Sequence, residues 1–185
     1  MPYSVTYPDT CTSSIPFHAC DPCQDVEQAR IRSVAFVNSS FIATLLASPS
    51  STDVWENGID DSLIIVIPDT NGSFDGGTPV EGPGFGSSPT KYMGSEFVLT
   101  YRDPNYVDNC DFYSAIQRSS SYHVAYVTET QVHISENTVT ILPKAPITDS
   151  LTDMVLWEVT VKFQQFATPC PNDKPAGIFT CFALS

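Results

Sequence analysis

Cys11, His18, Cys20 and Cys23 are residues of the kinds that hold zinc, and Cys20 and Cys23 stand in the Cys-x-x-Cys spacing of a tetrahedral site. The gap between Cys11 and His18 matches no strong zinc motif, and only one Cys-x-x-Cys pair is present. Free or disulfide-bonded thiols are therefore the expected state. A redox role for that pair needs a helix start to lower a thiol pKa, and Pro22 in an irregular stretch offers none. The remaining cysteines, Cys110, Cys170 and Cys181, are scattered. If all six paired, about fifteen connectivities would be open, and spacing does not choose among them. In a chain whose first residues carry no signal-peptide pattern, reduced thiols are the expectation.

A second grouping is Asp69, Asn71, Ser73 and Asp75, oxygen ligands at alternate positions as in the start of an EF-hand calcium loop. It departs from that loop at Phe74, where glycine is needed, and at Val80, where the bidentate glutamate should stand; Glu81 comes one place late. A turn-rich connection is the expected reading. His123 and His133 fall on what reads as one strand, about 33 Å apart at the usual rise, too far to share a site. No nucleophile elbow or phosphate loop is present, and the acid pair Asp60-Asp61 reads as a solvated turn. Trp55 and Trp157, with Tyr101, Tyr106, Tyr113, Tyr122 and Tyr126, could form a glycan- or protein-binding face, but large aromatics at alternating positions read first as core. The expectation is a protein without catalytic residues, cofactor or resident metal.

The elements that would carry these residues are mostly strands. Residues 122–134 alternate without a break, and residues 154–163 repeat the design with Trp157, Val159 and Val161 facing inward and Glu158, Thr160 and Lys162 outward. Further strands are expected at 29–37, 63–67, 96–101, 138–142 as a hairpin partner of 122–134, and 178–183. Residues 41–47 are apolar and ambiguous between strand and helix, and 51–60 could make one or two helical turns. The best helix spans 108–119, capped by Asp108 or Asn109 and the only one expected to exceed two turns. Residues 69–89 hold six of the nine glycines and read as one long loop. Four prolines in residues 1–28 make an irregular arm, and 164–185 is a Pro- and Cys-containing tail. The sum is a single mainly β domain, a sandwich or barrel of about seven strands with one flanking helix.

With 21 acidic residues against eight basic ones, the chain has a formal net charge of −13. Such a surface repels phosphate backbones and anionic lipid, so sequence-specific nucleic-acid binding and membrane binding are not expected. The order of a long glycine-rich loop, the strand Phe97-Val98-Leu99-Thr100-Tyr101, a helix bearing Phe112-Tyr113, and paired strands ending in Trp157-Glu158-Val159-Thr160-Val161 resembles structural proteins of tailed bacteriophages, particularly tail-tube-like subunits. The likeness covers roughly residues 63–165 and leaves out residues 1–28 and the cysteines.

The resemblance implies a self-assembling virion component made in a host cytoplasm, whose partners are copies of itself and other virion proteins. In that family a long loop reaches the neighbouring subunit, which here would draw on Asp69, Gly72, Asp75, Gly77, Glu81, Gly84 and Gly86. A capsid auxiliary or head-to-tail joining protein is the nearest alternative. A secreted, disulfide-stapled glycan- or protein-binding module is the alternative of another class.

Overall fold

The computed structural model describes residues 29–86, 90–147, 149, 152 and 154–180, so residues 1–28, with Cys11, His18, Cys20 and Cys23, lie outside the described residues, as does Cys181. Among the described residues the chain is mainly β, with ten strands in two five-stranded sheets, three short helices and no closed barrel.

The central sheet is built around β1 (Ser33–Asn38), which pairs antiparallel with β2 (Ile64–Ile67) on one side and β6 (Tyr122–Val127) on the other. Beyond β6 lie β7 (Gln131–Ile134) and the two-residue β10 (Asn172–Asp173). The outer sheet is built around the fourteen-residue β5 (Thr90–Asp103) and β9 (Trp157–Gln165), with β8 (Thr140–Lys144) at one edge. Two short strands, β3 (Asn71–Phe74) and β4 (Thr78–Pro83), share the other side of β5.

Both faces of the central sheet are covered. Val34, Phe36, Val124 and Tyr126 point at the outer sheet and meet Phe97, Leu99, Tyr101, Ile141, Val159, Val161 and Phe163. Ala35, Val37, Ala125, Val127 and Val132 point the other way. There they are capped by Leu45 of α1 (Ile42–Ala47), Trp55 of α2 (Thr52–Asp60) and Ile178 and Phe179 of a turn near the end of the chain. A strand with two dry faces reads as an apolar run instead of an alternation.

The third helix, α3 (Cys110–Ile116), closes one end of the inter-sheet core with Tyr113 and Ile116. Its anchor is the buried Asp103 at the end of β5. That carboxylate accepts hydrogen bonds from Tyr113 Oη (2.8 Å), Asn109 Nδ2 (2.7 Å) and the Asn105 backbone N–H (2.9 Å), so both of its oxygens are satisfied.

Several expectations change. Residues 122–134 are two strands, because polar Thr128, Glu129 and Thr130 turn the chain and fold β7 back on β6, with Tyr126 opposite His133. The best helix is shorter than expected: α3 has seven residues against nine in α2, and Asn109 spends its side chain on Asp103 instead of capping. The apolar stretch 41–47 forms α1. Residues 138–142 contribute to β8, which pairs with β9 in the outer sheet, not with 122–134 in the central one. Ile178 and Phe179 lie in a turn, not a strand. The supposed loop 69–89 contains β3 and β4, both laddered onto β5. Gly72 permits that close approach: a Cβ there would sit 2.6 Å from the Thr100 carbonyl oxygen.

The register expected for residues 157–163 holds, with Val159, Val161 and Phe163 buried and Lys162 exposed. Prolines stand on both sides of the outer sheet, Pro79 and Pro83 in β4 and Pro143 in β8. Trp157 is only partly buried but packs on Tyr113 at 4.8 Å and donates its indole N–H to Tyr106 O. Trp157→Ala should therefore cost about 3 kcal/mol, and the fully buried Trp55→Ala, on the far face of the central sheet, 3–5 kcal/mol by the same reasoning. Urea denaturation checks both, and an unchanged midpoint for Trp55→Ala would mean that α2 does not belong to the cooperative core.

Candidate functional site

Three surface features combine chemistry from distant parts of the chain: a polar cleft, an aromatic groove and a projecting ribbon. The cleft, of about 390 Å³, lies on the exposed face of the outer sheet. Strand register aligns Asn71, Arg102, Glu158 and Lys144 in one row across β3, β5, β9 and β8, with Ser73, Thr100 and Thr160 in the row beside it. Glu158 bridges the two cations, at 3.0 Å from Lys144 Nζ and 3.2 Å from Arg102 Nη2. Lys144 first, then Arg102, holds its carboxyl below the usual range. Exposed pairs of this kind add little to stability, but they fix the side chains that a polar ligand would meet.

The aromatic groove, about 350 Å³, opens beside residues 29–31, where β3 of the outer sheet meets β6 and β7 of the central one. It is lined by Ile31, Phe74, Tyr126, His133 and Pro169, with Arg30 and Thr168 also in its wall. His133 stacks on Tyr126 with ring centroids 4.9 Å apart and planes within 5°, and Tyr126 stacks on Phe74 at 4.8 Å. Phe74 continues the stack to Phe97 at 5.6 Å. His133 Nδ1 donates to Pro169 O (3.1 Å), which fixes the ring against the groove wall. Burial pushes the Tyr126 phenol up, so it stays neutral.

The ribbon comes from the mismatch in length between β5 and its neighbours. β9 pairs with β5 only from Ser95 to Asp103, whereas Thr90, Lys91 and Tyr92 pair only with Pro83, Gly82 and Glu81 of β4. The departure point is Gly94, whose φ of +108° is open to glycine and whose Cβ, if present, would lie 2.9 Å from Gln165 O. A two-stranded ribbon thus runs on beyond the β5–β9 ladder, tied at its base by Tyr92 Oη donating to Phe166 O (2.9 Å) and Gln164 Nε2 donating to Met93 O (3.2 Å), and it carries apolar side chains toward solvent. Phe85 at its tip is 98% exposed, Tyr92 47%, Met93 48% and Phe166 beside its base 72%.

Comparison with known protein families, with curated proteins and with solved structures finds no match for this chain. Function therefore rests on the geometry of these three features.

The calcium candidates Asn71, Ser73 and Asp75 serve β3 and the turn that follows it. Asn71 and Ser73 lie on a straight strand, and Asp75 accepts the backbone N–H groups of Gly77 and Val98, each at 3.0 Å, closing the turn between β3 and β4. Among the described residues no group of three or more His, Cys, Asp or Glu is placed to hold a metal. Cys110 and Cys170 are exposed thiols with no disulfide between them. Asp60 ends α2. Tyr101, Tyr113 and Tyr126 belong to the core, as Trp55 does.

Of the expected assembly residues, Gly72, Asp75 and Gly77 serve the sheet's own turn and strand, while Glu81, Gly84 and Gly86 lie in the ribbon. The aromatic groove escapes sequence reasoning because its lining comes from five separate stretches of chain. The one local signal for the ribbon is a phenylalanine between glycines in a polar stretch, at Gly84-Phe85-Gly86.

The two histidines are also nearer than a single strand would hold them, since the β6–β7 hairpin brings both into one sheet. They face opposite ways. His123 is opposite Val37 on the helix-covered side, only 5% exposed, and its Nδ1 donates to Ser135 O at 3.3 Å. Burial pushes this imidazole below its ordinary value, outweighing the backbone bonds at Ser135 and Asn137 that oppose it. The unfolded chain takes up the proton at a pH near 6.5 while the folded chain resists it, so this contribution to stability is whole above about pH 6.5 and shrinks as pH falls below it. His123→Gln should flatten that part of the stability profile between about pH 7.5 and pH 5.5. Urea midpoints of both proteins across the range are the check, and parallel curves would show that folding leaves the His123 imidazole unshifted.

Proposed function

We propose that the protein is a self-assembling structural subunit of a tailed-phage particle, with a tail-tube-like ring as the favoured setting. The observation that carries this reading is the ribbon. A two-stranded excursion with little packing of its own is marginal in water, yet this one leaves Phe85 fully in solvent and Tyr92 and Met93 about half exposed. Exposed apolar groups gathered on one projection mark a surface that another protein covers.

Charge and element order support the same reading. A net charge of −13 gives a wall to which DNA does not adhere. The sequence between residues 63 and 165, with its glycine-rich excursion, the strand at residues 97–101, the helix bearing Phe112-Tyr113 and the strand through residues 157–161, resembles tail-tube-like proteins. A capsid auxiliary or a head-to-tail joining protein would use the ribbon in the same way, at another position in the particle.

Because the body of the outer sheet is complete without the ribbon, the two can be separated. Replacing residues 82–91 by Asn-Gly joins Glu81 to Tyr92, which already face each other, through a two-residue hairpin turn. The intact protein should form rings or larger assemblies as its concentration rises, seen by sedimentation velocity and negative-stain microscopy. The shortened protein should keep its β-sheet circular dichroism and stay monomeric. An intact protein that is monomeric at millimolar concentration and is found in no virion would defeat the proposal.

A further inference from the structure

We propose that Phe85 at the ribbon tip of one copy seats in the aromatic groove of a second copy, against Tyr126, His133 and Phe74. The inference rests on the assembly reading above and names the contact through which it would work. Phe85 is 98% exposed and stands between Gly84 and Gly86, so no neighbouring side chain shields the backbone on either side from close approach. The groove is about 350 Å³, room for one aromatic ring with its flanking glycines, and its floor is the stack of His133, Tyr126 and Phe74. An incoming ring finds there the offset or edge-on partners that aromatic groups prefer.

The tip cannot fill the groove of its own chain. Gly76, on the groove's rim, sits at the base of β4, and the ladder from Thr78 opposite Glu96 to Pro83 opposite Thr90 holds the ribbon out. Six strand residues place the tip about 20 Å away. Knob and hole lie on different surfaces of one molecule, so the contact is head-to-tail. Repeated, it closes into a ring or runs on as a filament instead of stopping at a dimer.

The test uses one knob variant and one hole variant of the full chain. Phe85→Asp disables the knob and leaves the groove open; Thr168→Trp, at an exposed position in the groove wall, blocks the hole and leaves the knob free. Each alone should sediment as a monomer, with self-association weakened by roughly thirtyfold or more, the loss typical of a hot-spot side chain. Mixed in equal amounts they should form a dimer and nothing larger, because only one knob and one hole remain usable.

If the wild type assembles and Phe85→Asp assembles equally well, the knob is misassigned while the assembly reading survives. If both variants are monomeric but their mixture is too, Phe85 matters and this groove is not its seat, and the proposal fails. A wild type that never assembles removes the assembly reading and this inference together. Should Phe85→Asp lose the native circular dichroism, Phe85→Ser takes its place in the same comparison.

Discussion

The burial of both faces of the central sheet is the constraint from which the rest of the architecture follows. From Ser33 to Val37 and from His123 to Val127 every side chain is buried, so the chain must supply a cover on each side. The outer sheet is one cover, and α1, α2 and the Ile178–Phe179 turn make the other. Hydrophobic burial at this density leaves those two strands no freedom of register, because a slip by one residue would exchange the two cores.

That rigidity is what allows the surface features to be placed by distant parts of the chain. The groove depends on β7 folding back to set His133 over Tyr126, on β3 delivering Phe74, and on Ile31 lying beside them. Ile31 is already tied across to the outer sheet through a bridge to Gly72. The ribbon depends on β5 overrunning β9, and the bend at Gly94 marks the last residue before the sheet proper. Body and projection thus differ in kind: one is held by two cores, the other by a short ladder with its apolar side chains in solvent.

How much of this was legible in the sequence depends on how many faces of an element meet water. β9 has one wet face, so Glu158 and Lys162 alternate with Val159 and Val161 and the register could be read directly. β1 and β6 have none, and their apolar runs give position without register. Residues 122–134 misled because alternation continues through Thr128 and Thr130 even where the chain reverses. Residues 69–89 misled because glycine and proline usually mark loops, whereas here Gly72 permits a strand to press against Thr100. The partner of β8 was invisible for another reason: the chain crosses from the central sheet to the outer one before β8, and that crossing leaves no local trace. The same holds for the groove, while the ribbon's outline was present as a long glycine-rich excursion whose internal pairing could not be seen.

The prolines in β4 and β8 have a consequence for the life of the protein before it meets any partner. A backbone without an N–H is a poor template for an added strand, so Pro79, Pro83 and Pro143 interrupt main-chain pairing along both sides of the outer sheet. Cross-β growth, which needs an unbroken row of donors and acceptors, is thereby hindered at the places where a five-stranded sheet is most vulnerable. For newly made chains, edge-to-edge pairing through the outer sheet is disfavoured.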